Sequence, residues 1–222
     1  EIHIMVSAYI PIALFLLVTS TLAACRTEDE EVAPEQPLPP PNLEVAPFSN
    51  LETGNYWVYQ RYKVDSADNI LEVYSVDTFV VTGDSVVNGE AYAKVSRDGI
   101  PPNMGHLWRD SASCVVTADH KILFCSDPLD EVIYTVYQGP VGVILDYSVY
   151  STPESVTVAA GTFSSYKMQC EITSIGGFPE QPDWKRLRSY WAEDVGRVRY
   201  YEFYSSAPFG YRYDLVDYHV AE

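Results

Sequence analysis

The chain has few basic residues. Its 222 residues include 14 Lys and Arg against 31 Asp and Glu, which gives a formal net charge of −17. A surface of that charge repels the phosphates of nucleic acids and the headgroups of anionic lipids. We therefore expect no nucleic-acid partner.

Histidine and the familiar catalytic patterns are also scarce. Only His106, His120 and His219 follow the N-terminal apolar segment, and none has a second histidine or a cysteine at metal-binding spacing. The sequence has no Gly-x-Ser-x-Gly, no His-x-x-x-His and no phosphate-binding glycine loop. We expect no metal, no cofactor and no catalytic residue. An unrecognised hydrolase stays open, because the separation of two carboxylates in a cleft is not visible in a sequence.

A hydrophobic run long enough for a membrane helix is missing as well. The stretch IALFLLV, residues 12–18, has the length of the apolar part of a secretory signal, whereas a spanning helix needs roughly 20 apolar residues. The following LAAC, residues 22–25, resembles the bacterial lipobox, in which the cysteine is acylated before cleavage. The resemblance implies a lipoprotein signal peptide over residues 1–24 and lipidation of Cys25. A retained membrane helix and a chance cysteine are the alternatives.

An acidic cluster follows the cysteine closely. It resembles the Bacteroidota-type lipoprotein export signal, which directs a lipoprotein to the outer face of the outer membrane. Its residues are Glu28, Asp29, Glu30 and Glu31. The resemblance implies a lipid anchor in the outer membrane and exposure at the cell surface. The periplasmic face, with the acids acting only as a solvated tether, is the alternative.

A proline-rich segment separates this cluster from the rest of the chain. Six prolines between residues 34 and 47 remove backbone donors and fix φ, which favours an extended spacer. We predict an acidic, proline-rich tether over residues 25–47 and a single β-rich domain over residues 48–222. The acylated Cys25 would then join this domain to the membrane through the tether.

Alternation of apolar and polar residues recurs along the predicted domain, whereas no stretch shows sustained helical periodicity. In NYWVYQRYKV, Trp57 and Tyr59 lie on one face of a strand. In the next run, ILEVYSVDTFVV, Leu71 and Val73 fall on the same face of a predicted strand as Phe79. The 18 tyrosines and 4 tryptophans also favour strands over helices.

The connections between these runs are short. Asn88-Gly89 lies between two of them and is a strong hairpin signal, because both turn positions need a positive φ. The pattern predicts an all-β fold, an antiparallel meander of ten or more strands that forms a strongly curved sheet or a partly closed barrel. A β-sandwich is the alternative.

Three blocks of the domain resemble a family. They are LETGNYWVYQRY (51–62), VTVAAGTFSSYKM (156–168) and YWAEDVGRVRYYEF (190–203). Similar blocks occur in the same order in uncharacterised Bacteroidota-type secreted lipoproteins, which are similar in turn to exported domains of unknown function with a strongly curved β-sheet. Ala160 stands where that pattern has proline, and Asp194 where it has glycine. The resemblance implies a fold and a location, but no activity and no site residues.

The cysteines of the domain predict a disulfide. If residues 118–121 form a loop, Cys114 and Cys125 lie opposite each other in a non-hydrogen-bonded pair, the closer cross-strand spacing. A disulfide there suits an oxidising compartment. Cys170 has no basic neighbour, and we expect a buried free thiol.

The same loop fixes the register of the hairpin around the disulfide. It pairs Thr117 with Ile122 and Val116 with Leu123. A two-residue turn at Asp119-His120 would keep the cysteines opposite each other but make theirs a hydrogen-bonded pair, a poorer geometry for a disulfide.

Aromatic residues are the remaining candidates for ligand contact. They can line an apolar cavity inside a curved sheet or form an exposed platform for sugar rings, and core packing is the simpler interpretation. The tryptophans concerned are Trp57, Trp108, Trp184 and Trp191. We therefore expect a non-catalytic lipoprotein of the cell envelope that binds a small or hydrophobic ligand in a curved sheet. A surface carbohydrate-binding module and an unrecognised hydrolase are the alternatives.

Overall fold

The computed structural model describes residues 48–98, 104–127, 129–139 and 142–221. The predicted signal peptide, the lipidation site Cys25, the acidic cluster and the tether lie outside these residues. The described part contains thirteen strands and two short 3-10 turns, Met104–His106 and Asp183–Lys185. The strands are β1 (Tyr56–Val64), β2 (Ile70–Val87), β3 (Glu90–Arg97), β4 (Leu107–Ser111), β5 (Cys114–Thr117), β6 (Ile122–Cys125), β7 (Val132–Tyr137), β8 (Gly142–Val149), β9 (Glu154–Val158), β10 (Gly161–Ile175), β11 (Arg188–Ala192), β12 (Gly196–Phe203) and β13 (Gly210–His219).

The predicted all-β fold is confirmed. The strands join antiparallel in one sheet, in the order β6-β5-β4-β3-β2-β1-β13-β12-β11-β10-β8-β7, and β9 pairs with the first part of β10. Most neighbours follow one another along the chain, as hairpins require. The main exception lies at the centre of the sheet, where β1 pairs with β13 from Tyr56 opposite His219 to Val64 opposite Gly210.

The sheet is strongly curved, so that its two ends approach each other. The hydroxyl of Tyr134 in β7 donates a hydrogen bond to the carbonyl of Ile122 in β6, 3.0 Å away. Register shifts interrupt the pairing of β1 with both of its neighbours, and such bulges bend a strand and increase its twist. The sheet is therefore nearly closed. A β-sandwich does not describe it, because all the strands belong to one sheet.

The main hydrophobic core lies on the concave face. Trp57 and Tyr59 share this buried face, as their alternation predicts, and Phe79 and Leu215 pack with them. The indole N–H of Trp57 donates to the carbonyl of Val195, 2.6 Å away. The apolar ring of this tryptophan is thus buried in the core, and its N–H has a hydrogen-bond acceptor there.

Alternation places Leu71 and Val73 on the same face of β2 as the buried Phe79, but their side chains are 57% and 62% exposed. The pairing of β2 with β3 begins only at Phe79, so the first part of β2 extends beyond the core. No helix in the described part of the chain is long and apolar enough to cross a membrane.

The hairpin predicted at Asn88-Gly89 is confirmed and joins β2 to β3. Asn88 has a φ of 53° and Gly89 a φ of 86°, so both occupy the left-handed region that this turn requires.

The predicted disulfide between Cys114 and Cys125 is present. The two residues lie directly opposite each other in β5 and β6, with Cα atoms 4.0 Å apart. Cys170 is a buried free cysteine, as predicted.

The predicted register nearer the turn is wrong. Val116 pairs with Ile122 rather than with Leu123. The N–H of Thr117 donates to the carbonyl of Lys121, 2.9 Å away, so the loop is one residue shorter than predicted. The extra residue is accommodated as a bulge in β6, which bends the last strand at this end of the sheet.

Candidate functional site

A hollow of about 260 Å³ opens where the two ends of the curved sheet approach each other. Strands from both ends contribute to its lining, β3, β4 and β6 on one side and β7, β8, β10, β11 and β12 on the other. The lining includes four apolar residues, two from each side, which we call the apolar wall: Ile122, Leu123, Met168 and Leu187. The sheet topology therefore creates this hollow from segments that are distant in the sequence.

Tyr134 and Tyr147 add a stacked aromatic pair to the lining. Their rings stack with centroids 4.4 Å apart and an interplanar angle of 5°. Burial raises the pKa of both hydroxyls, so both stay neutral at physiological pH. Burial also raises the pKa of the nearby Cys170 thiol to about 12, which leaves this cysteine unreactive in the folded chain.

Arg197 is a cationic residue of the lining that lies among aromatic rings. Its guanidinium is 3.8 Å from the centroid of the Tyr200 ring and 5.8 Å from that of Phe79. Its Nε is buried and has no hydrogen-bond partner. Among the described residues no carboxylate forms an ion pair with Arg197, so its charge is held mainly by aromatic rings.

Two other cations of the lining, Arg97 and Lys121, are in a different situation. Arg97 is neutralised by Asp77, whose Oδ2 lies 2.7 Å from a terminal guanidinium nitrogen. Lys121 is exposed at the mouth of the hollow. Arg197 and Arg188 are therefore the arginines of the lining that have no carboxylate partner among the described residues.

Arg188 borders the hollow, and its Nε is likewise buried without a hydrogen-bond partner. Ser189 pairs with Tyr200, so these two side chains share the concave face, and their neighbours Arg188 and Tyr201 lie on the opposite face. The guanidinium of Arg188 accordingly lies over the ring of Tyr201, 4.0 Å from its centroid.

Tyr200 presents a buried hydroxyl that has no hydrogen-bond partner. The residue is 6% exposed and lines the hollow. Its ring stacks on Tyr213 with centroids 4.2 Å apart. Burial raises the pKa of the Tyr200 hydroxyl well above its ordinary value, so the group is a neutral donor. Buried polar groups in folded proteins are almost always paired, and an unpaired one in a cavity wall points to a ligand or a water molecule.

Glu202 supplies the one carboxylate among the described residues of the lining. It accepts a hydrogen bond from the hydroxyl of Tyr213, 2.8 Å away. Hydrolysis of a glycoside by the usual mechanism requires two carboxyl groups on either side of the bond to be cleaved. The described lining therefore supplies one of the two carboxyl groups that this mechanism requires.

A second hollow, also about 260 Å³, lies between β8, β10 and the segment after β12. Its cation Lys185 is already bonded, because Nζ donates to the carbonyls of Tyr204 at 3.2 Å and Ser205 at 2.6 Å. A cation satisfied by backbone carbonyls is not available to a ligand. The first hollow is therefore the stronger candidate site.

The predicted aromatic contacts are distributed over the core and the surface. Trp57 and Trp191 are 3% and 2% exposed and do not line the hollow. Trp108 lines it, with its indole N–H bonded to the carbonyl of Gly105 at 2.8 Å. Trp184 is half-buried, and its ring meets Phe203 at 83° rather than in a coplanar pair.

The remaining sequence predictions concern residues elsewhere. Cys25 and the acidic cluster Glu28, Asp29, Glu30 and Glu31 lie outside the described residues. In the part that the structure describes, no group of three or more His, Cys, Asp or Glu is placed to hold a metal ion.

Sequence reasoning missed Arg197, Tyr200 and Arg97. One signal was available for Arg97, because it continues the alternation of Ala93 and Val95, both buried, and an arginine in phase with a core face is unusual. For Arg197 and Tyr200 there was no such signal, since residues three apart in a regular strand lie on opposite faces.

Comparison with known proteins adds two structures of low similarity. One is a protein from Bacteroides fragilis described as exported and as having a YmcC-like fold; it is 11% identical, covers 76% of this chain and 96% of its own, and has a TM-score of 0.38. The other is described as a lipoprotein, from Parabacteroides distasonis, with 12% identity, the same coverages of 76% and 96%, and a TM-score of 0.36. TM-scores this low do not establish a shared fold, so the fold of this chain rests on its own strand order. No family model and no curated protein matches the sequence.

Proposed function

We propose that this protein is a non-catalytic lipoprotein of the cell envelope that binds a small ligand in the hollow. The observation that carries the proposal is the lining, which combines the unpaired buried hydroxyl of Tyr200 and the cation of Arg197 with several apolar side chains. Ligand sites in proteins have this composition, mostly apolar with a few convergent polar groups.

The anchor is the second part of the proposal. An apolar run of signal length that ends in LAAC supports acylation of Cys25, and the acids that follow support export to the outer face of the outer membrane. The two or three acyl chains of a bacterial lipoprotein hold it stably in a membrane, because each buried methylene contributes about 0.8 kcal/mol.

Two variants of the full chain test the anchor. Cys25→Ser should abolish labelling by a fatty-acid analogue and release the protein from the membrane fraction. Replacing residues 28–31 by alanine should leave the labelling intact and reduce cleavage by protease added outside the cells. Undiminished labelling of the serine variant contradicts the anchor, and unchanged cleavage of the alanine variant contradicts the surface location.

Chemical-shift mapping of backbone amides tests ligand binding. Small amphiphilic compounds should shift the amides of β6, β11 and β12 around the hollow. Gluco-oligosaccharides should leave those amides and the surroundings of Trp184 unchanged. Shifts around Trp184 on addition of sugars would favour the carbohydrate-binding alternative, and release of product from a substrate panel would favour the hydrolase.

A further inference from the structure

We infer that the ligand of the hollow is a small organic anion, whose anionic group accepts hydrogen bonds from Arg197 and Tyr200 and whose apolar body lies against Leu123 and Met168. The inference rests on the proposed ligand binding and specifies its chemistry.

Two residues of the lining, Tyr200 and Arg197, carry buried donors that have no acceptor among the described residues. The Tyr200 hydroxyl is buried without a partner, and the guanidinium of Arg197 has donors only. The two side chains are in contact, because the guanidinium carbon lies 3.8 Å from the centroid of the Tyr200 ring. A ligand that satisfies both must present an acceptor at this point, and hydrogen bonds between ionised groups are about twice as strong as neutral ones.

The charge at this point is also unbalanced. Arg97 already has Asp77 at 2.7 Å. Glu202 keeps its negative charge, because its partner at 2.8 Å is the neutral hydroxyl of Tyr213, but the cations of the lining outnumber this carboxylate. Arg197 has no carboxylate partner among the described residues. Burying part of a cation without an opposite charge costs desolvation free energy. An anionic ligand offsets that cost, whereas a neutral ligand does not.

The rest of the hollow describes the body of the ligand. The apolar wall and the stacked pair of Tyr134 and Tyr147 provide surface for a hydrocarbon or an aromatic ring. A volume of about 260 Å³ limits the ligand to a compact molecule. A carboxylate with a ring or a short chain combines these properties, and a phosphate ester of similar size has the same chemistry.

Matched pairs of compounds isolate the contribution of the charge. Benzoate, 1-naphthoate and hexanoate, each with its neutral amide, have nearly equal shapes and differ in the anionic group. Isothermal titration of the full-length protein should show at least one carboxylate that binds about tenfold or more tightly than its amide, the strength of a hydrogen bond to a charged group. Phenyl phosphate measured alongside distinguishes phosphate from carboxylate preference.

Two variants locate the anionic group, each with a matched control. Arg197→Gln should weaken binding of the preferred carboxylate about tenfold or more and leave binding of its amide within about twofold. Arg61→Gln is the control, because Arg61 also lies over a tyrosine ring, 3.7 Å from Tyr211, without lining the hollow. It makes the same change in net charge.

Tyr200→Phe tests the hydroxyl without disturbing the ring, so it remains informative if the arginine variant does not fold. It should weaken binding of the preferred carboxylate several-fold. Tyr92→Phe is the control and should leave binding unchanged, because the hydroxyl of Tyr92 donates to Glu90 and the residue does not line the hollow.

The outcomes separate the two proposals. Equal affinity for carboxylates and amides would leave the proposed ligand binding in place and overturn the anionic assignment. An equal loss of affinity in the Arg197 and Arg61 variants would also overturn it, because the effect would then be long-range electrostatics. If no compound of either kind bound, the proposed ligand binding itself would be wrong, and this inference with it.

Discussion

Tyr200 and Tyr213 are neighbouring residues of identical chemistry in opposite situations. Their rings stack in parallel on adjacent strands, 4.2 Å apart. The hydroxyl of Tyr213 donates to the carboxylate of Glu202, whereas that of Tyr200 is buried without a partner. A hydrogen bond to a charged group stabilises a fold, and a buried hydroxyl without a partner destabilises it.

Removing the two hydroxyls should therefore change stability in opposite directions. We expect Tyr200→Phe to raise the free energy of unfolding by about 1 kcal/mol and Tyr213→Phe to lower it by about 2 kcal/mol. Urea unfolding of both variants measures the difference. A loss of stability in the Tyr200 variant would indicate that this hydroxyl bonds a buried water molecule in the ligand-free protein. A gain of stability paired with weaker ligand binding is the usual relation between stability and function at a binding site.

At the scale of elements, the hairpin of β5 and β6 closes one end of the sheet. Its strands have four residues each, and a disulfide joins Cys114 to Cys125. Phe124, next to that disulfide, packs on Trp191 of β11, with ring centroids 5.2 Å apart. The hairpin is short, but it carries one side of the hollow, and the disulfide therefore stabilises a part of the site.

Loss of the disulfide should loosen this hairpin. Replacement of both Cys114 and Cys125 by alanine should lower the free energy of unfolding by about 2 to 3 kcal/mol. Hydrogen exchange should accelerate most at the amides of Val115 and Phe124. The control is a reducing agent, which should destabilise the natural chain and leave the double variant unchanged. Uniform acceleration of exchange over the whole sheet would contradict this local effect.

At the scale of the whole molecule, burial of tyrosine side chains makes stability depend on alkaline pH. Burial raises the pKa of Tyr134, Tyr147, Tyr200 and Tyr213, and that of Tyr201 to about 12. In the unfolded chain these groups return to a pKa of about 10. Between the two values the unfolded chain has lost protons that the folded chain retains, so rising pH favours unfolding.

The stabilising contribution of these neutral hydroxyls should be complete below about pH 9 and decrease progressively above about pH 10. Each of the buried tyrosines should contribute a decrease of about 1.4 kcal/mol per pH unit in that range. Urea unfolding between about pH 8 and about pH 11, with tyrosinate absorbance recorded in parallel, measures both quantities. Constant stability over this range, or full titration of tyrosine near pH 10 in the folded protein, would contradict the assignment of these groups as buried.

The local part of this architecture is readable from the sequence. Alternation identifies the strands because a half-buried strand needs it, and Asn88-Gly89 identifies a hairpin because few other pairs adopt two positive φ values. The pairing of β1 with β13 is not readable, since it joins the two ends of the domain and leaves no local signal. The one-residue bulge that shifts Val116 onto Ile122 is likewise a property of the folded hairpin.

The candidate site depends on such irregularities and was therefore not predicted. Arg197 and Tyr200 are three residues apart, an interval that places side chains on opposite faces of a regular strand. They share a face because the pairing of β11 with β12 shifts there: Trp191 lies opposite Arg197 and Tyr190 opposite Arg199, so Val198 is an extra residue in β12. Alternation along the sequence predicts which face of the sheet a residue lies on, and this prediction fails after a bulge, which inserts one extra residue into the strand.

The adjacency of β1 and β13 also sets the order of events during biosynthesis. A ribosome makes β1 first and β13 last, so the central strand of the sheet lacks one of its two partners until nearly the whole domain has been synthesised. Strands that wait for a distant partner expose apolar residues and an open edge, the features that chaperones recognise. Trp57 and Tyr59 belong to β1, and they reach their final surroundings only after β13, with Tyr213 and Leu215, has been synthesised and has paired with β1. The domain therefore completes its fold after synthesis, in a step that joins its first strand to its last.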